Sequence, residues 1–409
     1  LTSLIPLVGM LCLLAVAFAF SKNRRSISWR TVVAAFLTQV ALGALVLYVP
    51  FGQTMLASLS ETVSSVLNYA QDGIKFLFGD LGRMKMGFIF AFHVLPVVIF
   101  FSALVAVLYH WGVMIWVIRI IGGGLRKLLG TSRPESMVAA ANIFIGQAEA
   151  PLTIKPYIPT LSRSQLFAVM VGGTATVAGS VLAGYVGLGV ELKYLLAASF
   201  MAAPGALLMA KMLEPETEEL DAESENGEIF KESYVNVIDA AASGTSQGLI
   251  LAANIGAMLI AFIALIAMLN GILGAVGGWI GVEQLSLEWI LGHVFRIVAV
   301  LMGVPWEESI TAGSLIGQKL VLNEFIAYAN FAEIKEQLSP YSQAVITFAL
   351  CGFANFSSIG ILLGGFGTIA PERRQDVAKL GLKAVIGGFM ANLMSACIAG
   401  FFLSFTLAA

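Results

Sequence analysis

Charge is scarce in this chain. Asp, Glu, Lys and Arg make up 12% of its 409 residues and leave a net charge of −2. The basic residues form no extended patch with interleaved aromatics, so nothing in the sequence points to nucleic acid as a partner. Cysteine is rarer still: Cys12, Cys351 and Cys397 lie apart within apolar segments. Their separation fits neither a metal site nor a disulfide framework, and they read as small buried hydrophobes. His93, His110 and His293 are dispersed and no HExxH occurs, which argues against a metalloenzyme working inside a membrane.

Apolar residues are abundant. A hydrophobic content of 58% and a mean hydropathy of +0.88 lie outside the range of soluble domains. The composition is that of an all-α polytopic membrane protein, in contact with lipid along most of its length. A bilayer core needs about 20 apolar residues per helix. Eight stretches qualify: 4–20, 31–50, 84–110, 165–190, 194–212, 248–269, 343–366 and 380–407. The first has no basic residues before it and no convincing cleavage site after it, so it reads as a span.

Three links are rich in Lys and Arg, "SKNRRSISWR", "GGGLRKLLGTSR" and "PERRQDVAK". The positive-inside rule places them in the cytoplasm and both termini outside. Arg83 and Lys85 then fall on the outer side, where the run Leu56, Leu59, Val63, Val66, Leu67 before them forms an interfacial helix. The acidic stretch Glu214 to Glu228 reads as a solvated cytoplasmic link.

Two apolar stretches, Met137 to Gln147 and Ser309 to Leu322, are too short to span and read as re-entrant. Non-helical backbone at membrane depth is tolerated only when buried in protein or lining a wet cavity. The two stretches overlay at one fixed offset: Pro134, Ala141, Ile145, Gly146, Gln147 and Tyr157 recur as Pro305, Ala312, Ile316, Gly317, Gln318 and Tyr328. Downstream, "GTATVAGS" from Gly173 overlays "GFANFSSI" from Gly352. Three spans separate the hairpins, so the second enters from the opposite face, an inverted-topology repeat of the kind that builds secondary transporters.

A carboxylate at membrane depth costs about 2.5–3.5 kcal/mol on the insertion scale and needs a partner or a polar cavity. Glu149 and Glu324 each follow a hairpin tip, and inverted repeats bring both to one central cavity. Gly-rich segments with Thr174, Thr176 and Ser180, and with Asn355, Ser357 and Ser358, are sites for unwinding in mid-membrane. Unwound carbonyls and hydroxyls suit a hard cation such as Na+. Gln147 and Asn355 donate and accept, the glutamates accept, and Phe353 offers a ring face. That set suits a small, neutral, planar molecule with hydroxyls. An ion channel and an intramembrane enzyme with Glu149 and Glu324 as acid and base are the rival readings; two hairpins of opposite orientation favour a carrier.

The sequence resembles the concentrative nucleoside transporter family in its shorter bacterial form. The resemblance rests on "GQKLVLNEFIAY" from Gly317, with "GQAEAPL" and "GFANFSSIG", and covers nearly the whole chain. It implies a homotrimer in a bacterial inner membrane that imports nucleosides of uridine, cytidine or adenosine type. A scaffold part would comprise 1–118 and 214–287, and a transport part 119–213 and 288–409. By the same resemblance Gln147, Glu149 and Val181 hold the base, while Glu324, Phe353, Asn355 and Ser358 hold the ribose. Na+ lies at Asn142, Ile145, Thr176 and Val177; some bacterial relatives use protons, but Asn142 and the Thr176 hydroxyl favour Na+. Many relatives carry a hydroxyl residue where this chain has Ala148, which leaves base selectivity open.

Overall fold

The computed structural model describes residues 4–83, 87–218 and 234–406, and every regular element among them is helical. In chain order the helices are α1 Ile5–Ala19, α2 Trp29–Leu47, α3 Pro50–Asn68, α4 Ala70–Phe78, α5 Phe90–His110, α6 Val113–Leu129 and α7 Arg133–Ala141. A 3₁₀ segment, Ala150–Thr160, precedes α8 Arg163–Ala175, α9 Gly179–Gly187, α10 Leu192–Leu213 and α11 Val237–Ile280. Then come α12 Leu287–Leu301, α13 Ser309–Val321, α14 Glu324–Ile334, α15 Pro340–Leu350, α16 Ser357–Ile369 and α17 Arg374–Leu403. Every expected span falls on a helix, with shifted ends: the third begins at Phe90, and 84–86 lie outside the described residues. The spans expected at 165–190 and 343–366 are each two half-helices, α8 with α9 and α15 with α16.

Burial divides the helices into a centre and a flank. The span formed by α8 and α9 is 94% buried, and α10 and the span ending in α17 are 83% buried, against 11% for α11. The centre is built by α8, α10 and α17 packing on one another, with α1 and α2 against α10 and α17. On the flank, α11 packs along α5, which also touches α9. Close approach there depends on glycine: a Cβ on Gly248 would meet Ile99 Cα at 2.8 Å, and one on Gly244 would meet Ser102 O at 2.7 Å. At 1.5 Å per residue α11 is about 66 Å long, far beyond the expected 248–269; the Asn236 side chain caps its start and left-handed Gly281 its end.

Other expectations need correction. The stretch "GGGLRKLL" is not a link but the end of α6, whose Met114, Ile115, Ile118, Gly122, Leu125 and Leu129 are buried at helical spacing. Its polar face hid it from a search for apolar runs. For the same reason α12, which carries Glu288 and Arg296, was not foreseen. The run from Leu56 to Leu67 is helical as α3, with Leu56 and Leu67 buried and Leu59 exposed. Of the cysteines, Cys351 and Cys397 are buried, but Cys12 is exposed.

The acidic stretch is not simply a solvated link. Glu219 to Glu228 lie outside the described residues, but Glu214 is buried at the end of α10. It accepts from Arg163 (2.6 Å) and Lys383 (2.8 Å) and pairs with Lys22 (3.0 Å). The last carbonyls of α10 are satisfied there too: the Leu213 carbonyl accepts from Lys22 N and Lys383 Nζ, and the Glu214 carbonyl from Ser164 Oγ. Beside them Lys211 pairs with the buried Glu135 of α7. This cluster joins the first basic link, α7, α8, α10 and α17 at one end of the bundle.

Burial opposes ionisation of Glu214, yet hydrogen bonds from Lys383, Arg163 and Lys22 hold its carboxyl down at about 2 from an ordinary 4.5. The folded pKa lies below the unfolded one, so its stabilisation is complete above about 4.5 and is lost as pH falls toward about 2. Glu214→Gln should lower the neutral-pH stability of detergent-solubilised protein by about 1–2 kcal/mol. That is less than the loss of a fully buried pair, because the three cations can turn to water. Thermal melts should then show a smaller drop between pH 7 and pH 3 for the variant than for the parent.

Candidate nucleoside and ion site

Two hairpins and two broken spans meet at the site. In the first hairpin α7 stops at Ala141 and eight residues, Asn142 to Glu149, turn the chain before the 3₁₀ segment. The Glu149 carboxylate accepts from Gly146 N (3.0 Å), closing that turn, and Pro151 follows. In the second hairpin only Leu322 and Asn323 separate α13 from α14. Asn323 caps α14 by accepting from Ile326 N (2.9 Å), and Glu324 is the first residue of that helix.

The broken spans satisfy their freed backbone groups with each other and with the hairpins. Phe353 N donates to Thr176 O (3.0 Å), so the two breaks touch directly. Gly179 N donates to Phe144 O (2.9 Å), and in the other half Phe356 N donates to Leu320 O (3.2 Å). These bonds fix the register of the internal repeat. Ser162 caps α8 as Ser339 caps α15, and Gly179 corresponds to Phe356, both 177 apart (339 − 162 and 356 − 179), while the hairpin acceptors Phe144 and Leu320 are 176 apart (320 − 144). The overlay of Gly146 and Gln147 on Gly317 and Gln318, 171 apart (317 − 146), is therefore five to six residues out of register. Ala, Ile and Gly are common enough in apolar helices to match by chance, and the hydrogen bonds discriminate where identities did not.

Five of the expected solute residues form one network. Glu324 is buried; its Oε2 accepts from Asn355 Nδ2 (2.7 Å) and its Oε1 from the Tyr185 hydroxyl (3.1 Å). Asn355 Oδ1 accepts from Ser358 N (2.9 Å) and Ser357 Oγ (2.6 Å). Ser358 Oγ donates to Phe353 O (2.5 Å) and accepts from Gln147 Nε2 (3.1 Å). Gln147 Oε1 is buried with no hydrogen-bond partner, an acceptor left over at the end of the chain of bonds. Tyr185 was missed in the sequence; its one signal is a phenol alone in the apolar, Gly-rich "VLAGYVG".

Glu149 stands apart from this network. It lines a cavity of about 160 Å³ together with Ile145, Ala178 and Ser180, opposite Tyr109 of α5 and Gln247 of α11; Glu324 does not line it. Val181 is buried on α9 and makes no polar side-chain contact. Ala148 lies against α16: a Cβ on Gly365 would sit 3.7 Å from its own.

Of the four expected ion residues, Asn142 and Thr176 both lie beside Gly172. Asn142 is fully buried, and neither its Oδ1 nor its Nδ2 has a hydrogen-bond partner. Its amide lies 3.0 Å from where a Cβ on Gly172 would be, and the Gly172 carbonyl accepts from Thr176 Oγ1 (2.8 Å). Ile145 and Val177 are buried alongside in the sequence. The Asn142 side-chain amide and the Thr176 hydroxyl, both beside Gly172 near the C-terminal end of half-helix α8, are uncharged polar groups of the kind that suit a monovalent hard cation.

Three family models cover most of the chain. The Na+ dependent nucleoside transporter N-terminus matches residues 8–81 and its C-terminus 194–400. A nucleoside recognition gate matches 91–191. The nucleoside permease NupC of Helicobacter pylori is 48% identical, with 98% of each chain covered. Among solved structures, CNTnw in an inward-facing substrate-bound state is 55% identical, with TM-score 0.96 and 100% of each chain covered. A variant of CNTnw in an outward-facing state aligns with TM-score 0.95 at 54% identity, with 99% of each chain covered. The chain belongs to the Na+-dependent, concentrative nucleoside transporter family.

Proposed function

We propose that this protein moves a nucleoside and Na+ together across a bacterial inner membrane by alternating access, with the nucleoside held by the network from Gln147 to Glu324. That network carries the reading. Glu324, Asn355 and Ser358 present acceptors and donors side by side, the pattern that two vicinal ribose hydroxyls require. Glu149 at the cavity wall and the unpartnered Gln147 Oε1 are left for the base, with Val181 and Phe353 supplying apolar surface. Na+ takes Asn142, Thr176 and the backbone near Ile145 and Val177.

The architecture is eight spans and two inverted re-entrant hairpins. The scaffold is α5 with α11, and the uncovered apolar flank of α11 fits the subunit contacts of a homotrimer and lipid beyond them. The sequence division puts 1–118, and so α1 and α2, in the scaffold; these two helices pack on α10 and α17 of the transport part. Both termini lie outside. The cavity at Glu149 reaches Tyr109, near the end of α5 that leads into the basic α6, and thus opens toward the cytoplasm.

One Na+ moving down ~100 mV supplies about 2.3 kcal/mol, and a tenfold gradient about 1.4 more. Together they support accumulation on the order of 500-fold. Glu324→Gln should lower uptake of every nucleoside by at least about tenfold, since hydrogen bonds to a charged group are worth about 1.5–3 kcal/mol. Gln147→Leu should change the ranking among uridine, cytidine and adenosine. Competition against labelled uridine in proteoliposomes reads both. Normal uptake by Glu324→Gln would overturn the ribose assignment.

A further inference from the structure

Lys319 is a fully buried basic residue within electrostatic reach of Glu324, and no hydrogen bond joins it to the solute network. It has no exposed surface and lies on α13, three residues before the hairpin turns at Leu322. Its Nζ donates to Asn392 Oδ1 (2.5 Å) and to the Ala349 carbonyl (2.8 Å), with the Phe389 ring 5.6 Å away. Asn392 Nδ2 in turn donates to Ala175 O (2.6 Å) and Cys351 O (2.8 Å), the carbonyls that close half-helices α8 and α15. A fully buried ammonium costs several kcal/mol and is not needed merely to fill space.

The repeat register says what it corresponds to. Adding 177 to Asn142 gives Lys319, and adding 177 to Gly172 gives Ala349. In the first half, the unpartnered Asn142 amide lies beside Gly172 near the C-terminal end of α8. In the second half, the Lys319 ammonium bonds the Ala349 carbonyl near the C-terminal end of α15. Both half-helices end with the negative pole of their dipoles pointing into the protein. One end faces the unpartnered Asn142 amide and the other the Lys319 ammonium.

We propose that Lys319 is a tethered cation that fills the second repeat's counterpart of the Na+ site, which limits coupling to one mobile ion per nucleoside. This rests on the Na+ reading given above. A neutral, shorter residue of the Asn142 type at this position then opens a place for a second ion. Na+ would approach the Ala349 carbonyl and the Asn392 amide oxygen as the ammonium does now.

Na+-dependent thermal stabilisation of the purified protein, in a choline background, tests this independently of transport. The parent should be stabilised as by one site, and Asn142→Ala should abolish the effect. Asn142→Ala combined with Lys319→Asn should regain it, and Lys319→Asn alone should double the rise in Tm per tenfold increase in Na+. Absence of any Na+ effect in the parent would overturn the Na+ reading itself. A parent and Asn142→Ala that behave as stated, with no regain in a folded double variant, would overturn the role of Lys319. If the Lys319 variants do not fold, the charge moved per uridine by the parent in proteoliposomes decides: one elementary charge supports the proposal and two overturns it.

Discussion

The structure depends on how two interrupted membrane spans satisfy the backbone groups that their interruption exposes. In hydrocarbon each unpaired N–H or C=O costs several kcal/mol, so a broken helix survives only if its ends find partners. Here the breaks are placed against each other, with Phe353 N on Thr176 O. A single side chain, Asn392, holds the terminal carbonyls of both first halves. Each second half donates its first N–H groups to the hairpin of its own repeat, at Phe144 and Leu320. The tightness of the crossing shows in Gly352, where a Cβ would sit 2.2 Å from Asn392 Oδ1.

The crossing puts polar groups in the middle of the protein without exposing them to lipid. Asn355 lies in the second break, Ser357 and Ser358 begin the half-helix after it, and Tyr185 lies on the half-helix after the first. Glu324 can therefore be buried because donors from both halves reach it. Conversely, the first half leaves the Asn142 amide and Gln147 Oε1 without protein partners, so they are free to receive a ligand. The family to which the chain belongs names the ligands such groups would receive.

The sequence showed the parts that contrast with their surroundings. Glu149 and Glu324 stand out because a carboxylate in an apolar run needs a reason, and both begin the returning arm of a hairpin. The Gly-rich, hydroxyl-bearing segments around Thr176 and Asn355 marked the breaks for the same reason. Elements that blend in were missed: α6 and α12 carry charge on one face, and Glu214 belonged to an acidic run that looks solvated. The register of the repeat was missed because identities among Ala, Ile and Gly carry little information. Its correction from 171 to 177 aligned Lys319 with Asn142 (319 − 142), a relation that no local motif contains.

The central claim is that ion and solute cross together through one site built on this crossing. Its most direct test is the simultaneous influx of radiolabelled Na+ and radiolabelled uridine into proteoliposomes. The account predicts uridine-dependent Na+ influx in fixed proportion to uridine, with both lost in Asn142→Ala. Na+ influx at full rate without any nucleoside, or uridine accumulation unaffected when choline replaces Na+, would contradict it.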